Sequence, residues 1–360
     1  MPNQQPTFTV TFKELAAIAI KRQMRGHVIL ILNSDVDQVT YTSLSKVDKT
    51  DFNNDDYLLV QLCFLGCPKK VTVLKKDTLV NLEQKLNKYD NYLLCYPEAQ
   101  DEDMTGLKNY LKLQRENNNY SIGIFANAQN IDNEFLINFI SNPVQISVDN
   151  ETKTLTAGQY TARIAGALAG LSQNRSLTYY ELDEIVDLTL NPNPDDVVAN
   201  GGLTIIYQDG SYKLGRAVNS LVTLTDGVTE AFQKIRIINI MDMIASDIIS
   251  TFRKSYVGKY VNNYANKKRF IGAVNTYLKN LASDGLLEEE NDNEVYISYE
   301  KTKNYIEAKG ISTDDMSKED ILRYNTGSLV LLDGVCSPVD CMEDLDLGFY
   351  LFQALESEGE

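Results

Sequence analysis

Between residues 27 and 235 the chain alternates short apolar runs with stretches of helical periodicity, a rhythm that a layered α/β domain satisfies and few other folds can. Residues 27–33, 57–64, 70–74, 92–96 and 121–125 read as strands, with further strands expected at 144–148 and 203–208. Helices fit 78–88, 104–117 and 158–171; in the last, Tyr160, Ile164, Leu168 and Leu171 share a face. Gly166 and Gly170 in that helix have the spacing that marks close approach of a neighbouring helix. Asp209-Gly210, between two strand-like runs, is a hairpin turn.

From residue 236 the texture changes to helix. Ile240, Ile244, Ile248 and Phe252 form an i, i+4 stripe with Ile237 and Met241 beside it. A second helix over 267–282 buries Ile271, Val274, Leu278 and Leu281 and stops at Gly285. Strands at 295–299 and 328–335, with a helical 318–324 between them, complete an α+β unit. The chain therefore divides into an N-terminal arm (1–26), an α/β domain (27–235), a helix-rich α+β domain (236–336) and a C-terminal arm (337–360).

Both arms carry a strand pattern. Phe8, Val10 and Phe12 alternate with threonines at one end; Leu345, Leu347, Phe349 and Leu351 alternate with Asp344, Asp346, Gly348 and Tyr350 at the other. A terminal strand left unpaired is an aggregation hazard. Each either joins its own chain's sheet or adds to the sheet of a neighbouring subunit.

Chemistry is sparsely provided. The single histidine, His27, opens a buried-strand pattern, and no G-x-S-x-G elbow accompanies it. Phosphate loops and dinucleotide glycine fingerprints are missing from the sequence. The Cys63/Cys67 and Cys336/Cys341 pairs are spaced wrongly for a zinc site, and the acidic runs 101–103 and 288–290 lack a calcium-loop arrangement, so no metal or cofactor is expected. A net charge of -16 opposes direct binding to nucleic acid. The longest apolar runs are too short or too interrupted to span a membrane, residues 1–10 do not form a signal peptide, and five scattered cysteines fit a reducing cytoplasm. An α/β hydrolase or nucleotide enzyme using His27 with a carboxylate is the rival reading.

Several segments, in order, resemble contractile phage tail sheath proteins of the defective-prophage and R-type (diffocin-like) bacteriocin kind. They are Phe12 to Ile20 with Arg25-Gly26, the helix from Gly158 to Ser172, Gly201-Gly202-Leu203-Thr204, Ala217-Val218-Asn219-Ser220-Leu221, and Lys234 to Ile244 continuing to Asp247-Ile248. The resemblance covers roughly residues 1–35 and 155–352. It implies a subtilisin-like α/β domain without protease residues, and a structural, non-enzymatic subunit with no cofactor. Such subunits stack as hexameric rings around an inner tube and contract to drive it through a target envelope. The implied partners are other copies of the chain, the inner tail tube, and baseplate and terminator proteins. Assembly is expected in the bacterial cytoplasm, followed by release in a phage tail or bacteriocin particle. The family's exchanged arms correspond to Phe8, Val10 and Phe12 and to Leu345, Leu347, Phe349 and Leu351. Its electrostatic tube contact is nominated at Lys267, Lys268 and Arg269, the densest basic run. Another tail component is the alternative within the same particle.

Overall fold

A computed structural model gives the fold and describes residues 19–22 and 26–349. In chain order the first half runs β1 (His27–Leu32), β2 (Gln38–Tyr41), α1 (Asn54–Leu65), β3 (Lys70–Lys75), α2 (Leu79–Leu86), β4 (Leu93–Cys95), α3 (Asp101–Glu116), β5 (Ile122–Ala126) and β6 (Leu136–Phe139). There follow β7 (Val144–Val148), β8 (Glu151–Leu155), α4 (Ala157–Gly170), β9 (Ile185–Leu188), α5 (Pro194–Ala199), β10 (Gly202–Leu203), β11 (Ile205–Gln208) and β12 (Ser211–Leu214). The last part holds α6 (Ile235–Ser255), α7 (Tyr264–Ser283), β13 (Glu294–Ile297), α8 (Tyr299–Glu307), α9 (Lys318–Arg323) and β14 (Leu332–Val335).

The expected α/β layering is present as a seven-stranded sheet ordered β10-β6-β5-β4-β1-β3-β2, parallel except for β2. Because successive side chains of a strand face opposite ways, β1 feeds two cores at once. Val28, Leu30 and Leu32 join the core under α1 and α4. Ile29 and Ile31 join Leu82, Leu86, Leu107 and Leu111 from α2 and α3 on the other face. A strand buried on both faces needs the unbroken apolar run seen at 28–32.

Residues 57–64 are not the expected strand but the body of α1. The Asn53 side chain caps the helix by accepting from the Asp56 N–H at 2.8 Å, and Asp55 and Asp56 sit in its positive first turn. A continuous apolar run cannot distinguish a two-face-buried strand from a buried helix; the preceding Asn-Asn-Asp-Asp was the informative signal. The expected strand 203–208 is broken at Thr204: β10 pairs with β6 at the edge of the large sheet, while β11 folds against β12. Asp209 (φ 53) and Gly210 (φ 83) both take the left-handed conformation that this two-residue hairpin demands. The strand expected over 328–335 shortens to β14.

The glycine spacing in α4 has a direct structural use. A Cβ on Gly166 would lie 1.9 Å from the Cys63 carbonyl oxygen, and one on Gly170 would lie 1.6 Å from the Gly66 carbonyl oxygen. The end of α1 thus rests on the backbone of α4.

In the C-terminal unit Ile240, Met243 and Ile244 of α6 pack against Phe270, Val274, Tyr277 and Leu278 of α7. Ile20, from the segment preceding β1, is buried in that same cluster. The α6 helix begins in the α/β core at Ile235 and continues into this second core. It is tied to the sheet domain by two hydrogen bonds from Arg115 to Asp242, at 2.9 and 2.6 Å, and by Asn91 donating to Ser246 at 2.8 Å.

Gly166→Ala is expected to lower unfolding stability by about 3 kcal/mol or more, since the new methyl meets rigid backbone. Gly272→Ala, at a helical site in α7 with nothing within 4 Å of the added Cβ, should instead raise it by about 0.5–1 kcal/mol. Urea denaturation of the two variants reads both signs.

Candidate assembly surfaces

The C-terminal arm is held against the body over residues 337–344. Val339 N–H donates to the Leu286 carbonyl at 3.1 Å, and Glu288 N–H donates to the Ser337 carbonyl at 2.8 Å, so the arm starts on the C-terminal unit. It then crosses to the α/β domain. There Glu343, with only 6% of its side chain exposed, accepts from Lys234 Nζ at 2.6 Å, Thr178 Oγ1 at 2.5 Å and Ser176 Oγ at 3.3 Å. Arg216 stands 3.7 Å from the same carboxylate and pairs with Asp344 at 2.5 Å, while Asp340 lies 3.6 Å from Lys234. Burial pulls the Glu343 pKa upward, but the hydrogen bonds from Lys234 and Thr178 and the charges of Lys234 and Arg216 outweigh it, leaving the pKa below its ordinary value. The result is a carboxylate latch.

Over residues 345–349 the backbone has no secondary structure, and the apolar positions of the alternation face solvent: Leu345 is 87% exposed, Leu347 61% and Phe349 83%. Burying each such side chain is worth roughly 1.5–3 kcal/mol, so this stretch withholds several kcal/mol of hydrophobic stabilisation from the isolated subunit. Leu351, Phe8, Val10 and Phe12 lie outside the described residues.

The C-terminal unit offers a short two-stranded sheet, β13 against β14. One of its edges is already occupied. Asn275 of α7 accepts from the Val295 N–H at 2.8 Å and donates to the Val295 carbonyl at 3.3 Å, taking the place of a strand. In an antiparallel pair directly opposite residues direct their main-chain groups the same way relative to the partner, so Gly334, opposite Val295, presents its groups at the other edge. Two strands alone are a marginal sheet.

The basic run nominated at 267–269 does not form one patch. Lys267 is buried, donates to Thr326 Oγ1 at 3.0 Å, and has its pKa lowered by that burial. Arg269 is half-buried with its guanidinium 5.9 Å from the Tyr260 ring, and Lys268 alone faces solvent. Consecutive residues of a helix point about 100° apart, so a run of three cations cannot share one face. Lys267 is therefore corrected from a surface contact to a core residue.

His27 is buried at the start of β1, with its Nε2 2.8 Å from Thr72 Oγ1 and its ring edge-on to Tyr89. Burial, reinforced by the charge of Lys70, depresses its pKa to about 3, so the ring is neutral at physiological pH. No cluster of three or more His, Cys, Asp or Glu residues able to hold a metal ion occurs among the described residues, and none of the described helices is long and apolar enough to cross a membrane. Sequence reasoning missed the latch. Glu343 is one of 50 acidic residues, and nothing in its neighbourhood announces that Lys234, 109 positions earlier, will reach it.

Residues 228–317 match the family model of the phage tail sheath C-terminal domain. The whole chain is 31% identical over 354 residues to the tail sheath protein of Clostridium phage phiCD119, covering 94% of this chain and 97% of that one. The chain belongs to the phage tail sheath family. Its relatives are structural proteins and not enzymes, which removes the hydrolase reading of His27. The fold is also similar to that of the sheath tail protein of Desulfitobacterium hafniense, with a TM-score of 0.67 at 16% identity over 81% of this chain and 93% of that one. It resembles the contracted helical sheath of the anti-feeding prophage as well, with a TM-score of 0.70 at 13% identity over 96% of this chain and 98% of that one.

In this sheath chain the latch should respond to acid with a defined sign. Because the Glu343 pKa is lowered on folding, its contribution is complete above the ordinary glutamate value of 4.5 and is lost as pH falls through the lowered value. Glu343→Gln removes the charge at every pH and should weaken the latch by about 1.5–3 kcal/mol. Amide hydrogen exchange over residues 337–344, where the Val339 N–H donates to Leu286, should then quicken about tenfold or more, with the body still folded by near-ultraviolet circular dichroism. An unchanged exchange rate would show that the latch does not hold this segment.

Proposed function

We propose that this chain is the repeating subunit of a contractile sheath, which polymerises as stacked hexameric rings around an inner tube and shortens to drive that tube through a target envelope. The observation that carries the reading is the latched arm with its exposed Leu345, Leu347 and Phe349. A subunit that pins the base of an extended apolar strand and leaves the strand unpaired is built to complete another copy's sheet. The partly capped β13–β14 pair is the receiving site this favours, with the new strand entering along β14 at Gly334, since Asn275 occupies Val295 on the far edge while on the β14 edge Lys301 holds the Leu332 carbonyl at 2.8 Å. The N-terminal arm, through Phe8, Val10 and Phe12, is assigned the reciprocal role.

The order β2-β3-β1-β4-β5-β6-β10 supports a subtilisin-like reading of the α/β layer. The domain limits 27–235 and 236–336 are supported by α6 beginning at the change of core, with residues 1–26 and 337–360 as arms. Contraction is a change between two packings repeated in every subunit, during which strand-paired arms keep the lattice connected. The inner tube is assigned to the α6–α7 side, with Lys268 and Arg269 as the remaining cationic candidates. Baseplate and terminator proteins close the two ends. Assembly in the bacterial cytoplasm before release in a particle agrees with five cysteines that form no disulfide.

Negative-stain electron microscopy of the chain expressed alone should show hollow striated cylinders wider than a bare tube. Removing residues 1–12, or everything after Asp344, should give a folded, soluble monomer that forms none. Cylinders formed equally well by both truncations would refute strand exchange; a truncated body that unfolds would place the strand within its own subunit. Lys268→Glu with Arg269→Glu should abolish assembly on the tube while leaving the fold intact, and normal tube-bound sheath would remove that nomination.

A further inference from the structure

Two arginines withdrawn from solvent have carboxylate partners: Arg163 meets Glu184 at 2.9 Å, and Arg115 meets Asp242 at 2.6 Å. Arg236 differs. It is 7% exposed, its Nε and Nη1 have no hydrogen-bond partner, and its Nη2 reaches only the Gly285 carbonyl at 3.4 Å. An uncompensated buried guanidinium is among the costliest groups a fold can retain, and such a group calls for an ion or water beside it.

Arg236 lines a cavity of about 100 Å³ between the first turns of α6, the loop after α4, and the starting ends of β1, β4 and β5. Arg175, Asn239, Asn91 and Gln173 also line it, and no aspartate or glutamate does so among the described residues. In a chain with 50 acidic residues that omission is notable. The first turn of α6 repeats the pattern: it carries no acidic residue, and Lys234 at the N-cap supplies no side-chain cap. The positive end of the helix and a buried cation thus meet at one space without a counter-charge.

We propose that this cavity is an anion site that takes a small free oxyanion of phosphate size on the Arg236 guanidinium. One water needs about 10–15 Å³ on this measure of volume, so a tetrahedral ion fits together with waters. The planar fork of Arg236 supplies two parallel donors to two of its oxygens, and Asn239 and Arg175 offer further N–H donors. The site sits at the seam between the two domains. Ser176, also on its lining, donates to Glu343 in the latch, so occupancy braces the region where the arm is rooted. The proposal is independent of ring formation or contraction.

Inorganic phosphate, titrated into the full-length protein at constant ionic strength, should raise its melting temperature with the logarithm of its concentration, by about 2–4 °C at roughly ten times the dissociation constant. Isothermal titration calorimetry should give one site per chain. Arg236→Met should abolish both responses while remaining folded in phosphate-free buffer, because it removes a charge and retains the volume. Arg236→Lys, which keeps the charge without the fork, should bind at least tenfold more weakly and covers the case in which the Met variant does not fold. No shift with phosphate, an equal shift with chloride at matched ionic strength, or an undiminished shift in Arg236→Met would each overturn the assignment, as would density for water only at phosphate saturation.

Discussion

The paired hydrogen bonds of Arg115 to Asp242 fix the relation between the two halves of the molecule. Asp242 lies on α6 with 5% of its side chain exposed, and Arg115 lies at the end of α3, flanked by the rings of Tyr120 and Phe135 at 5.3 and 5.2 Å. The pair lies in a poorly solvated seam, where breaking a buried ion pair typically costs about 3–5 kcal/mol. Because α6 is one continuous helix shared by two cores, fixing it at Asp242 also sets where α7, β13 and β14 stand relative to the large sheet. The loops around the seam, the arm latch and the Arg236 cavity all take their positions from that helix.

The subunit combines a rigid body with a C-terminal stretch, residues 345–349, that the body does not cover. Inside, backbone meets backbone at Gly166 and Gly170, and β1 is buried on both faces. Outside, the arm after Asp344 exposes large apolar side chains in series. That surface contributes no hydrophobic stabilisation to the isolated subunit. The latch reconciles the two regimes: charge-assisted hydrogen bonds at Glu343 hold the arm's base against the body without burying residues 345–349.

Much of the α/β layer was legible. The apolar runs at β1, β3, β4, β5 and β7 stand where the sequence places them, as do α2, α3 and α4, because their periodicity and flanking polar residues agree. The exception, 57–64, carried no periodicity, and the choice between helix and strand fell to the Asn53 cap. The small elements β2, β6, β8, β9, α5 and α8 were not read; four- to nine-residue segments of ordinary composition owe their form to neighbours more than to propensity. At the assembly surfaces the alternation Leu345-Leu347-Phe349 was readable because it is local. The fate of the basic run was not, since a sequence of three cations does not say which one the helix turns inward.

The sequence by itself determined the class of fold, the change of texture near residue 236, and the apolar alternation of the C-terminal arm, all written in patterns a few residues long. It also carried, as an ordered series of segments, the membership of the sheath family. Only the tertiary structure decided that Lys267 is core, that Asn275 closes one edge of the small sheet, that Glu343 is held by Lys234 and Arg216, and that Arg236 is buried without a counter-charge among the described residues. Each of these depends on groups far apart in the chain meeting at specific atoms. Electrostatic and hydrogen-bond energies are set by distances of a few ångströms and by exclusion of water, and neither quantity exists until the chain has folded.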